Sequence, residues 1–228
     1  MNSNKNIFDQ AKKLHVSGNI YEAQKLYLKL LKLRKNDFLI HSLIGTTFLQ
    51  LKKFDKAIKQ LDISIKLNPN FADSFSNRGI AYAELQNYQK AIDDYDKAIS
   101  IKKNFLNAYL NKGIALKNMQ KYNEAFSHFE LCIKINPNDA KIFNNLGNLL
   151  VKLRKHKDAI KAYDKAILLQ NNFAEAYSNR GEANQQLNNY EAAIKDYTRA
   201  IKIDNNLDYI HGKILHAKMH IHEWGKYD

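Results

Sequence analysis

The 228-residue chain has a single cysteine, two prolines and eight glycines. One cysteine excludes an internal disulfide and suits a reducing compartment. So few prolines and glycines leave little turn chemistry for hairpins, which argues against a β fold. No apolar run approaches the roughly 20 residues that a membrane-spanning helix needs. The N-terminal stretch MNSNKNIFDQAKKLH lacks the apolar centre of a secretory signal. The expectation is a cytoplasmic protein without membrane contact. Positive charge, by contrast, is in excess, at +13. A polyanion partner would account for it. The lysines are spread along the chain with no block of five or six, and lysine, asparagine and isoleucine are abundant together, as AT-rich coding produces. Nucleic acid therefore stands last among the readings of this charge.

Apolar residues recur at helical spacing almost throughout, and the chain repeats itself every 34 residues. Gly45, Gly79, Gly113, Gly147 and Gly181 are 34 apart, as are Ala23, Ala57, Ala91, Ala125, Ala159 and Ala193. Counting from Asn4 gives six units: 4–37, 38–71, 72–105, 106–139, 140–173 and 174–207. Each is predicted to hold two helices, a first at about positions 2–14 and a second at about 18–30. Residues 208–224 are expected to form a capping helix and 225–228 a tail. Glycine at position 8 costs about 1 kcal/mol in a helix relative to alanine. It is tolerated where a second helix must come close, and the alanine at position 20 fills the facing slot. Position 27 is also small in most units (Ser64, Ala98, Cys132, Ala166, Ala200). Position 24 is large: Tyr27, Leu61, Tyr95, Phe129, Tyr163 and Tyr197.

A 34-residue unit with Gly at 8, Ala at 20, an aromatic at 24 and sometimes Pro at 32 (Pro69, Pro137) resembles the tetratricopeptide repeat over residues 4–207. The first unit departs most, with Ala11 at the glycine position and Leu30 at the small slot. The resemblance implies an all-α right-handed superhelical solenoid, with the first helices lining a concave groove and the second helices outside. A solenoid end needs a polar-faced cap.

Asparagine recurs at two positions. At position 33 it occurs in all six units (Asn36, Asn70, Asn104, Asn138, Asn172, Asn206), where it is expected to take a left-handed turn or cap the next helix. At position 6 it recurs as Asn77, Asn111, Asn145 and Asn179, inside a helix, where asparagine is a poor choice. In the family this position points into the groove. An amide carries a donor and an acceptor, matching a peptide backbone. Stacked helices lie roughly 8–10 Å apart and an extended chain advances about 3.3 Å per residue. Four rungs would therefore hold on the order of nine to ten residues. Asp73, Glu84, Lys117, Lys141, Asn144, Asn148, Lys152, Glu175 and Glu182 would line the same groove with mixed sign. Arg78 and Arg180, at the usually apolar position 7, are expected to be structural, their stems packed and their heads on polar partners.

Chaperone-binding members of the family hold a C-terminal carboxylate with Lys at 5 and Asn at 9, Asn at 6 of the next unit, then Lys at 2 and Arg at 6 of the third. Here Asn148 and Asn179 fit, Lys213 stands in for the arginine, and Asn144 and Tyr209 occupy the lysine positions, so that clamp is incomplete. The ladder resembles instead the repeat region of protein O-linked N-acetylglucosamine transferases and SPINDLY-like glycosyltransferases. The end YIHGKILHAKMHIHEWGKYD, with Trp224, Tyr227 and Asp228, resembles the junction to that family's catalytic region, which is absent from this sequence.

Chemistry of its own is not expected. His211, His216, His220, His222 and Glu223 cluster near the end, but there is no HExxH and no second cysteine, so ordinary surface packing is favoured over a metal. Cys132 at a small slot reads as buried and inert. No phosphate loop exists, because the glycines lie inside helices. The overall expectation is a non-enzymatic scaffold without cofactor or small-molecule substrate. It would bind extended protein segments through Asn77, Asn111, Asn145, Asn179, Asn148, Lys141, Asn144 and Lys213, as the acceptor-recruiting part of such a glycosyltransferase. A free-standing assembly or chaperone adaptor is the alternative.

Overall fold

The computed structural model describes residues 2–207 and 209–221, which form helices joined by short turns, with no strand among them. The helices gather into two compact units, Met1–Gln120 and Lys121–Asp228. The first unit holds α1 (Asn2–Val16), α2 (Ile20–Leu33), α3 (Phe38–Gln50), α4 (Phe54–Leu67), α5 (Ala72–Glu84), α6 (Tyr88–Ile101) and α7 (Leu106–Asn118). The second holds α8 (Tyr122–Ile135), α9 (Ala140–Lys152), α10 (His156–Leu169), α11 (Ala174–Gln186), α12 (Tyr190–Ile203) and α13 (Tyr209–His220). From α2 to α12 the helices start one residue earlier in the 34-residue frame than periodicity predicts. The expected cap corresponds to α13. His222, Glu223, Trp224, Tyr227 and Asp228, and the tail 225–228, lie outside the described residues.

Helix pairing follows the small-residue pattern. In the first unit a Cβ placed on Gly79 would sit 2.6 Å from Cε1 of Tyr95, and one on Gly45 would sit 2.7 Å from Cγ of Leu61. In the second unit a Cβ on Gly181 would sit 2.8 Å from Cε1 of Tyr197. The large residue at position 24 thus occupies the volume that a side chain at position 8 would need. The position-20 alanines and Tyr27, Leu61, Tyr163 and Tyr197 are fully buried or within 1% of it. The first-unit core gathers Ala11, Ala23, Tyr27, Leu30, Ile40 and Ile44 in one cluster, and Ala57, Leu61 and Ala81 in another. In the second unit Ile210 and Ala217 of α13 are buried, and Ile210 clusters with Ala193, Tyr197 and Ala200 of α12, so α13 covers the apolar face of the last pair.

The turns correct one expectation. The position-33 asparagines neither cap a helix nor take positive φ. The residue after them is the N-cap: Asp37 accepts from the amides of Leu39 and Ile40, Asp139 accepts from that of Lys141, and Phe71, Phe105 and Phe173 hold the same place without a side-chain bond. The amides of Asn70, Asn138 and Asn206 donate instead to the side chains of Asn68, Asn136 and Asp204 two residues before. The left-handed residue is at position 15, between the two helices of a pair: Gly18, then Lys52, Gln86, Gln120, Arg154 and Asn188, with φ from 55 to 62° for the non-glycines. Such a conformation costs a non-glycine roughly 1–2 kcal/mol, and the five repeats after the first bear it.

The buried phenols predict an alkaline limit. Burial pushes the Tyr27 hydroxyl from an ordinary 10.0 up to about 12, and it pushes Tyr95, Tyr163 and Tyr197 further in the same direction. A raised folded pKa means that the folded state holds its proton more tightly than the unfolded one. This stability is complete below pH 10 and is lost as pH rises through 10 toward 12, about 3 kcal/mol for Tyr27 alone. Phenolate absorbance and helical circular dichroism should therefore change together in an alkaline titration. Tyr27→Phe, a residue that Phe129 shows to fit this slot, should move the midpoint up. Phenolate forming while the helices stay intact would contradict the account.

Candidate functional site

The position-6 asparagines sit on the first helix of each pair, and each is half-buried. In the first unit, Asn77 Nδ2 donates to Thr46 Oγ1 at 3.0 Å. Thr46 spends its own proton on the Ser42 carbonyl, so its oxygen can only accept, and the amide of Asn77 is fixed with its nitrogen turned toward α3. Asn111 has no hydrogen bond among the described residues. The residue 31 positions before it, matching Thr46 for Asn77, is Ile80, which offers no acceptor. Asn111 lines a hollow of about 160 Å³ with Ile80, Ala83, Glu84, Tyr95, Ile114, Ala115 and Asn118. That is well below the roughly 300 Å³ where small-molecule pockets begin, and it suits a single side chain.

In the second unit, Asn145 Nδ2 donates to the Lys141 carbonyl one turn back, at 2.9 Å. Asn179 Nδ2 donates to Asn144 Oδ1 at 3.0 Å, and Asn144 Nδ2 donates to Glu175 Oε1 at 3.0 Å. A carboxylate only accepts, so Glu175 orients Asn144, and Asn144 orients Asn179. In all four position-6 residues the carbonyl oxygen accepts no bond from the described residues. Three amides are thus pinned by their nitrogen and keep an open acceptor, and one is open on both sides.

The other candidates divide. Lys141 is exposed, and its ammonium makes no ion pair among the described residues. Asn144 is 2% exposed, with its amide bonded to Glu175 and Asn179, so it orients Asn179. Asn148 Oδ1 accepts from the Tyr163 hydroxyl at 2.7 Å, tying this face to the core. The Lys213 ammonium lies 2.8 Å from Glu182 Oε2. With that cation neutralised and Asn179 turned to Asn144, the carboxylate-clamp pattern has no free charge ready for a chain terminus.

The position-7 arginines are interior fasteners. In the first unit, Arg78 Nε and Nη2 donate to the two oxygens of Asp94 at 2.8 and 2.7 Å, and Nη1 reaches Asp62 at 2.6 Å. In the second unit Arg180 repeats this with Asp196 and Asp164. Each guanidinium joins its own helix pair to the preceding one. The bonds to Asp94 push the Arg78 pKa further up, so this cation stays charged at any working pH. Lys112 reaches Asp96 at 2.6 Å in the same register. Sequence reasoning noted the arginines but missed their partners. The acids at position 25 (Asp62, Asp96, Glu130, Asp164) carry a 34-residue period, and position 23 is acidic only in the two repeats that have an arginine at position 7 (Asp94, Asp196), a coincidence that would have shown them.

Models of the tetratricopeptide repeat match residues 72–105, 106–139 and 174–207. A TPR repeat model matches 45–86 and 147–188, and a further tetratricopeptide repeat model matches 128–161. The chain belongs to the tetratricopeptide repeat family. No curated protein matches it. Solved structures share the fold at low identity. The APC/C hetero-tetramer Cut9–Hcn1 has TM-score 0.82 and 20% identity, over 93% of this chain and 42% of that one, so the present chain spans less than half of that neighbour. A tetratricopeptide repeat protein from Parabacteroides merdae has TM-score 0.76 and 22% identity, over 93% and 83%. YrrB, described as a TPR protein with an unusual peptide-binding site, has TM-score 0.61 and 20% identity, over 85% and 97%.

The remaining reactive side chains of this tetratricopeptide repeat protein are packed rather than poised. Cys132 is fully buried, and burial pushes its thiol up to about 12. His220 stacks on Tyr190 with ring centroids 4.5 Å apart, and His216 Nδ1 lies 3.0 Å from Gln185 Nε2. Among the described residues no three His, Cys, Asp or Glu converge as metal ligands, and no helix is long and apolar enough to cross a membrane.

Proposed function

We propose that this tetratricopeptide repeat protein is a scaffold that binds extended protein segments on the first helices of the pairs in each unit, through the amides of Asn77 and Asn111 in one and of Asn145 and Asn179 in the other. The observation that carries this is Asn111, half-buried, unpartnered and set in a hollow the size of one side chain. A half-buried amide without a partner gives up hydrogen bonding that a ligand backbone would restore. The open carbonyl oxygens on the other three rungs support the same reading. Lys141 and Asn148 flank the second-unit rungs and would set side-chain preference. YrrB, a neighbour in fold, is described as having a peptide-binding site. The protein works in the cytoplasm on this reading, where its one thiol stays reduced. The finer role, recruiting acceptors for a glycosyltransferase, would use the same face. The segment that suggested it ends outside the described residues, and the matching family models are all repeat models.

A ten-residue peptide selected on the intact protein from a random library provides the test. Asn111→Ala with Asn145→Ala should weaken its binding on the order of tenfold or more, at about 1 kcal/mol per lost hydrogen bond. Unchanged affinity in a variant that keeps its helicity and melting temperature would overturn the proposal.

A further inference from the structure

The last repeat also carries a pocket lined by residues of α11 and α12. It measures about 490 Å³ and is lined by Tyr177, Arg180, Lys195, Thr198, Arg199 and Lys202, with Asp196 at its base. Asp196 is already bonded through both oxygens to Arg180, and it also accepts from Asn184. Lys195, Arg199 and Lys202 are exposed and make no ion pair among the described residues. They fall at i, i+4 and i+7 on one face of α12, a cationic stripe roughly 10 Å long. Like charges at this spacing destabilise a helix by several tenths of a kcal/mol. The Arg199 guanidinium lies 6.0 Å from the Tyr177 ring centroid, and that of Arg180 lies 5.4 Å from it.

The repeat register shows what sets this pocket apart. Position 25 is acidic in the second to fifth repeats (Asp62, Asp96, Glu130, Asp164) and becomes Thr198 in the sixth. Where the following repeat has a base at position 7, that acid takes it, as Asp62 takes Arg78 and Asp164 takes Arg180. After the sixth repeat the corresponding residue is Ile214, so no base arrives and no acid is placed to meet one. Positions 22, 26 and 29 are Lys195, Arg199 and Lys202 here, against Asp93, Lys97 and Ser100 in the third repeat. The first repeat also has three lysines there (Lys25, Lys29, Lys32), but Lys25 is paired with Glu22 and Ile7 stands where Tyr177 does. The pocket therefore lacks the carboxylate that the second to fifth repeats have at position 25, and it is lined by three cations without an ion pair among the described residues and by a hydroxyl.

We propose that this pocket binds an acidic segment of a partner protein, with two or more carboxylates along the Lys195–Arg199–Lys202 stripe and a side chain resting on Tyr177. The stripe is short and bounded by acids: Asp164 and Asp196 at the Arg180 end and Asp204 capping α12. A nucleic-acid strand needs a positive track that continues along its backbone, and these acids interrupt one. A peptide meets only the stripe.

The test uses the full chain and a dye-labelled peptide containing four glutamates, followed by anisotropy, beside the same peptide with four glutamines. The glutamate peptide should bind and the glutamine peptide should not. Arg199→Glu with Lys202→Glu should weaken binding at least tenfold. Lys195→Glu with Lys202→Glu, which leaves the Tyr177 stack in place, should do the same and guards against misfolding. Lys29→Glu with Lys32→Glu makes the same charge change at positions 26 and 29 of the first repeat, where Leu28 stands for Thr198, and should leave binding intact. Equal loss in the first-repeat pair would mean that net charge alone attracts the peptide, and would overturn the proposal. So would equal binding of both peptides, or tighter binding of a single-stranded oligothymidine that the α12 changes abolish.

Discussion

Arg78→Ala is expected to lower the stability of the first unit by about 3–5 kcal/mol, because it leaves Asp94 charged, buried and unpaired. Asp94 is 5% exposed and both its oxygens are held by Arg78. Burial pushes its carboxyl up, and the guanidinium of Arg78 offsets only part of that, so it stays above its ordinary value. The same change at Arg180 should cost about 1 kcal/mol less, since Asp196 keeps the Asn184 amide at 3.2 Å and one hydrogen bond is worth about that much. The third repeat has Tyr82 at the equivalent position, and among the described residues its hydroxyl makes no hydrogen bond to Asp94. Arg78→Lys keeps the charge but not the two-point bond, and should fall between the parent and Arg78→Ala. Pairing Arg78→Leu with Asp94→Leu should recover most of the loss, because removing both charges removes the burial cost. Urea unfolding at constant slope measures these differences. Each repeat leans only on its neighbours, so amide exchange in the Arg78→Ala variant should quicken in α4–α6 and stay unchanged in α11–α12. A loss below about 1 kcal/mol would show that the fastener is dispensable.

The second large effect is expected at the facing pair Gly147 and Tyr163. Tyr163→Ala empties a fully packed slot in the second unit and should cost about 3–5 kcal/mol. It also releases Asn148, whose carbonyl oxygen the tyrosine hydroxyl holds, so a core change should alter peptide binding as well as stability. Approached from the other side, Gly147→Ala puts a methyl 2.7 Å from Cδ1 and Cζ of Tyr163. Alanine is the better helix former by about 1 kcal/mol, but overpacking costs about 1–3 kcal/mol, and here the ring has buried neighbours all round. The variant should therefore lose stability. Gly212→Ala supplies the contrast: nothing lies within 4 Å of its Cβ, so only the helix preference acts, and α13 should gain about 0.5–1 kcal/mol. Thermal melts of the two alanine variants should move in opposite directions. Movement in the same direction would remove the packing explanation for the repeated glycine.

Periodicity made most of the fold legible, because packing at a repeated interface forces the same residue sizes every 34 positions. Gly at 8, Ala at 20 and a large residue at 24 are one steric contact written three times, and a reader of the sequence alone can recover the contact from the spacing. The buried, inert Cys132 followed from its place in the small-residue slot for the same reason. The turn asparagines misled, because local propensity allows asparagine to cap a helix or take a left-handed turn. The chain put the cap one residue later and the left-handed residue at position 15. Asn144 is expected on the open face from its place in the frame, and its contacts with Glu175 and Asn179, which the frame does not carry, bury it.

The sequence by itself determined the all-helical repeat, the small-against-large pairing and the positions of the four interior asparagines, since these rest on size and period. Tertiary structure decided what each polar side chain does. Whether an amide is spent or open depends on which atom of a neighbouring helix lies within 3 Å of it, and residues 31 or 35 apart in the chain set that distance. Thr46 occupies Asn77, Ile80 leaves Asn111 open, and Asp94 commits Arg78 to the interior. Hydrogen bonds are directional and short, and a period of residue types alone does not carry that geometry.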